Sequence, residues 1–60
     1  MNNYNIIVIY IYGTIYPIAL KETTEEEAIS TANQAFTNRI GVDKVMVIDK
    51  DYKVVYTIEA

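Results

Sequence analysis

Sixty residues allow one folded domain, residues 1–60, and no second. The chain has no cysteine and no histidine, which excludes disulfides, thiolate metal sites and the commonest acid–base group. Eight acidic residues against five basic ones, a net charge of −3, argue against binding nucleic acid through its phosphates and are too mild for a nucleic-acid mimic.

A chain this short buries only about 60% of its unfolded surface. Such domains usually need a staple, and with disulfides removed self-association or a partner is the expected one. The lack of cysteine fits a reducing cytosol, so a cytoplasmic location is expected. The apolar run Ile6–Leu20 is fifteen residues, interrupted by Gly13 and Pro17. A membrane-spanning helix needs roughly 17–25 residues. No basic flank precedes the run, so neither a membrane span nor a signal peptide is expected.

Tyr4–Tyr12 reads as a long strand of β-branched and aromatic residues. Ile15–Leu20 reads as its hairpin partner. Pro17 cannot donate to a ladder, which assigns this second strand to a sheet edge. A two-residue Gly13-Thr14 turn would set Pro17 opposite Tyr10 in a hydrogen-bonded pair. A four-residue loop over Tyr12–Ile15 keeps the same facing residues and turns position 17 outward, and is preferred.

The helix is the clearest element. Thr24 with Glu27, and Thr23 with Glu26, are capping-box patterns, and Glu25, Glu26 and Glu27 suit the positive end of the helix dipole. Ala28, Ile29, Ala32, Ala35, Phe36 and Ile40 recur at helical spacing. Arg39 and then Gly41 mark the end, predicting a helix over Glu25–Ile40. Val45–Ile48 and Tyr52–Ile58 read as a second hairpin turning at Asp49-Lys50-Asp51. The fold class is α+β: a ββαββ domain, an antiparallel sheet of two hairpins with one helix on one face.

One helix covers one face of such a sheet. Ile7, Ile9 and Ile11, with Tyr16, Ile18 and Leu20, form the more aliphatic set of the first hairpin and are expected beneath the helix. In the second hairpin, Val45, Val47, Val54, Tyr56 and Ile58 are expected there. The opposite face of the first hairpin then carries Ile6, Val8, Tyr10, Tyr12, Ile15 and Pro17, apolar and rich in tyrosine. An open antiparallel face is normally polar, so these six residues are the expected interface.

No residue pattern points to catalysis. Ser30 has no histidine to activate it. Asp49-x-Asp51 lacks the further acids, glycine and distal glutamate of a calcium loop, so it reads as a hairpin turn. The only glycines are Gly13 and Gly41, so there is no phosphate loop. The six tyrosines could stack bases, but the basic residues are too few and scattered for a nucleic-acid groove. No enzyme activity, cofactor or metal is expected.

The expectation is a small acidic protein-binding module, self-associating as a homodimer and binding an unidentified protein as a stoichiometric inhibitor or adaptor. Small proteins that phages and other mobile elements direct against host defence proteins share this profile. The alternative is a small-ligand or nucleotide-binding domain with a tyrosine-lined pocket at a dimer interface.

Overall fold

The computed structural model describes residues 2–60. Over these residues β1 (Asn2–Tyr10) and β2 (Ile15–Thr23) are followed by α1 (Glu25–Asn38), β3 (Val42–Ile48) and β4 (Val54–Glu59). The strands form one antiparallel sheet in the order β2-β1-β3-β4, with α1 across one face. This is the expected ββαββ α+β domain. No helix is long and apolar enough to cross a membrane among the described residues.

Both hairpins close with a three-residue loop of one design. The Tyr10 N–H donates to the Thr14 carbonyl at 2.8 Å, and the Gly13 N–H to the Tyr10 carbonyl at 2.9 Å. In the second hairpin the Asp49 N–H donates to the Lys53 carbonyl at 2.9 Å, and the Tyr52 N–H to the Asp49 carbonyl at 3.0 Å. A tight turn followed by one left-handed residue is a common solution for such loops. Gly13 fills that position at φ 88°, and Tyr52 fills it at φ 63°. The Asp49 carboxylate braces its turn by accepting from the Asp51 and Lys53 N–H groups, each at 2.9 Å. The Asp49-x-Asp51 pair is therefore a turn device, and Tyr52 belongs to the loop rather than to the strand.

The three-residue loop corrects the expected register. Pro17 lies opposite Ile7, three positions along from Tyr10, and Ile9 lies opposite Ile15. An odd shift turns every side chain of one strand to the other face relative to its partner. Tyr16, Ile18 and Leu20 do face the helix, but their partners there are Val8, Ile6 and Tyr4. Ile7 and Ile9, expected in the core, lie on the open face, and Ile11 is in the loop.

The core is the sheet face beneath α1. Ile6, Val8, Val45 and Val47 are fully buried, as are Ala28 and Ala32 on the helix, and Ala35 is buried beside them. Three alanines at i, i+4 and i+7 form one stripe of minimal side chains, which seats the helix backbone close to the valines and isoleucine below. Tyr56 and Ile58 pack against this core. An irregularity between Val47 and Ile48 puts Val54 opposite Ile48 on the open face, while Val55 packs toward the core. The expected positions of Val54 and Val55 are thus exchanged.

Thr24 is the N-cap, as expected: its Oγ1 accepts from the Glu27 N–H at 3.2 Å and donates to Glu27 Oε1 at 3.1 Å. The helix ends at Asn38, two residues short of the expected end. Arg39 is already extended, and its N–H reaches back to the Ala35 carbonyl at 3.2 Å. Gly41 carries its positive φ of 82° in the turn into β3, and Ile40 is left 95% exposed outside the helix. The Gly41 carbonyl accepts from the Ile11 N–H at 2.9 Å, joining this turn to the first hairpin loop.

Candidate functional site

The six residues expected at the interface do not form one surface. Ile6 and Val8 are fully buried under α1, and Tyr10 packs against the same core, half-buried. The loop register explains the correction: these even-numbered residues of β1 share the helix-facing side with Tyr16 and Ile18. Tyr12 stands in the hairpin loop, 79% exposed, with its ring against Gly41. Ile15 and Pro17 do lie on the open face of β2.

The open face itself is apolar, built from other residues. Three cross-strand rows define it. The first runs Ile15, Ile9, Lys44, Glu59; the second Pro17, Ile7, Met46, Thr57; the third Ala19, Asn5, Ile48, Val54. Polar side chains gather toward β4, where Lys44 and Glu59 form an ion pair at 3.8 Å. Apart from Asn5 and Lys44, the β2, β1 and β3 positions of this face are apolar: Ile15 is 61% exposed and Ile7, Ile9, Met46 and Ile48 are half-buried. Asn3 and Asn5 are the sequence signal for this side: two exposed odd-numbered polar residues at the start of β1 share the parity of Ile7 and Ile9.

No tyrosine stands on this face. Tyr4, Tyr10, Tyr16 and Tyr56 belong to strand positions on the helix side, and Tyr12 and Tyr52 to the loops. The expectation of a tyrosine-rich open face is therefore corrected: the face is aliphatic, with one methionine.

The sheet edges offer less. In β2, the alternation of bonded and non-bonded pairs from the Tyr10–Thr14 closure puts Ile7 and Pro17 in a non-bonded pair. The outer edge of β2 therefore lacks a donor at Pro17, which discourages strand addition there. At the other edge β4 has six residues and an irregularity near its start.

A second concave region separates α1 from β2. The helix is tied to the opposite side of the sheet, where the Tyr56 hydroxyl donates to Asn33 Oδ1 at 2.9 Å. On the β2 side a cleft of about 360 Å³ remains, lined by Ile18, Thr31, Gln34, Ala35, Asn38 and Arg39 and open to solvent. At its upper end the Arg39 guanidinium donates to the Tyr10 hydroxyl at 3.1 Å and lies 4.8 Å from the centroid of the Tyr16 ring. The Tyr10 hydrogen bond raises the Arg39 pKa further above its ordinary value.

Among the described residues no group of three or more acidic side chains is placed to hold a metal ion. The chain matches no protein-family model, no curated protein and no solved structure. What the fold defines is its class, a small antiparallel sheet carrying one helix.

Proposed function

We propose that this chain is a non-catalytic protein-binding module that self-associates as a homodimer through the open face of its sheet. The observation behind this reading is the aliphatic field of Ile7, Ile9, Ile15, Pro17, Met46 and Ile48, on the side that α1 leaves uncovered. Contiguous apolar surface of this kind, with polar residues along one margin, is what interaction surfaces have and ordinary solvated sheet faces lack.

A second copy is the favoured occupant. A two-fold dimer covers the same patch on both chains, so one apolar face needs no further complement. A standard interface hides about 800 Å² per partner, roughly a fifth of the 4121 Å² surface of this chain, an area that a single broad face can supply. Face-to-face packing is favoured over edge pairing because Pro17 blunts the β2 edge. A dimer of this kind acts by occupying another protein's surface, as an inhibitor or adaptor in the cytosol. The nucleotide-pocket reading loses support, since the tyrosines that would line the pocket are absent from the open face.

Light scattering coupled to size exclusion tests the proposal. At micromolar concentration the expected mass is twice 6.9 kDa. A monodisperse monomer that stays stable on dilution overturns it.

A further inference from the structure

We propose that the cleft between α1 and β2 is a binding site for an extended peptide segment that carries a carboxylate, seated with that carboxylate on Arg39. This goes beyond the self-association reading, because it uses the helix side of the sheet and stands whether or not the open face pairs.

The cleft has a structural cause. Thr31, Gln34, Ala35 and Asn38 are spaced three, one and three residues apart, a single stripe along the β2 side of the helix. Thr31, Ala35 and Asn38 are short, and the helix is held toward β4 by the Tyr56–Asn33 bond, so nothing on this stripe fills the gap above Ile18. The result is a trough with an apolar floor of Ile18 and Ala35 and a polar wall. Sites for small molecules usually enclose most of the ligand. This trough is open along its length between a strand and a helix, a shape suited to a linear chain.

Charge selects the ligand. Arg39 is fixed at one end by the Tyr10 hydroxyl and the Tyr16 ring, so its guanidinium is oriented in advance. Lys44–Glu59 is the one ion pair among the described residues, and Arg39 takes no part in it. A guanidinium held by neutral tyrosines keeps donors free for a planar carboxylate. The acid on the same helix stripe, Glu27, lies one turn below Thr31, and its carboxylate is engaged by Thr24. The trough is therefore positive at the Arg39 end and negative at the other, which sets the direction of an acidic segment. The side-chain amides of Gln34 and Asn38 stand between these ends, where a peptide backbone would need partners.

The test is an amide chemical-shift titration of the full chain with two hexapeptides acetylated at the N-terminus and amidated at the C-terminus, one alternating valine and glutamate, the other valine and glutamine. At low salt the glutamate peptide should shift the amides of Ile18, Thr31, Gln34 and Asn38 and bind about fivefold more tightly than the glutamine peptide, the scale of a solvent-accessible ion pair. Arg39→Gln should abolish that preference while leaving the spectrum dispersed. Gln34→Glu, which keeps Arg39 and its tyrosine contacts, should weaken the glutamate peptide more than the glutamine one. Equal affinities for the two peptides, shifts confined to other surfaces, or an unchanged preference in both variants overturn the assignment. Monomeric mass in the light-scattering experiment would remove the open-face reading and leave this one intact.

Discussion

The Tyr56 hydroxyl on β4 donates to the side-chain Oδ1 of Asn33 on α1 at 2.9 Å, a partly buried bond that anchors the helix to one margin of the sheet. Tyr56→Phe removes the donor and leaves the Asn33 oxygen without its partner. A loss of about 0.5–1.5 kcal/mol is expected in urea unfolding. A double-mutant cycle with Asn33→Ala should show coupling of the same order. Purely additive losses would mean that packing, not the bond, positions the helix.

The helix start gives a second expectation. Thr24 makes both hydrogen bonds to Glu27. Thr24→Ala should cost about 0.5–2 kcal/mol, the usual range for a lost N-cap. Thr23→Ala should not reproduce the effect through capping, because Thr24 is the residue bonded to the Glu27 N–H. A Thr24→Ala variant as stable as the parent would place the cap elsewhere.

The two hairpin loops provide a matched pair. Both need a left-handed residue, and only the first has glycine there. A side chain in that conformation costs roughly 1–2 kcal/mol, partly offset by the greater freedom of glycine in the unfolded chain. Tyr52 is 86% exposed, so its ring contributes little packing to set against the strain. Tyr52→Gly should therefore raise the unfolding free energy by up to about 1 kcal/mol. Gly13→Ala should lower it by about 1 kcal/mol through backbone strain alone, since an added Cβ meets nothing within 4 Å. Thermal unfolding of both variants should move in opposite directions, and shifts of the same sign would contradict the shared loop design.

These loops also explain which parts of the fold were legible in the sequence. The helix start was readable because Thr24, Glu27 and the acidic first turn are local signals that agree with one another. The four strands were readable where β-branched residues run together, but β1 lies two residues earlier than Tyr4–Tyr12, β2 runs on through Lys21, Glu22 and Thr23, and β3 starts at Val42 rather than Val45. The register of the first hairpin was hidden by the same residues: from Ile6 to Tyr12 every side chain is apolar, so no alternation marks which face is which. Asn3 and Asn5 carry the parity, but they precede the apolar run. Gly13 is compatible with more than one loop length, and a four-residue loop in place of the three-residue one reverses the face of β1 while leaving that of β2 the same. The end of the helix was displaced because Gly41 serves the turn into β3 rather than the helix terminus, leaving Arg39 extended toward Tyr10 and Tyr16. The Arg39 cleft was not visible in the sequence, since it depends on where the helix is tied across the sheet.

Val8 and Ile9 decide between the two sides of β1. Val8 is fully buried among the helix alanines and the valines of β3, whereas Ile9 lies between Ile15 and Lys44 on the open face. Val8→Glu puts a carboxylate into the core with no partner, a cost that a domain of this size cannot absorb, so the expected result is an unfolded or aggregated chain. Ile9→Glu puts the same group at an accessible position beside Lys44. The chain should remain folded by circular dichroism, and its mass by light scattering should fall to 6.9 kDa. Lys53→Glu, at the exposed position that closes the second hairpin loop, should leave both fold and mass unchanged. If Val8→Glu stays folded and Ile9→Glu does not, the first hairpin has the opposite register. If Ile9→Glu keeps the mass of a dimer, the copies pair through some surface other than the open face.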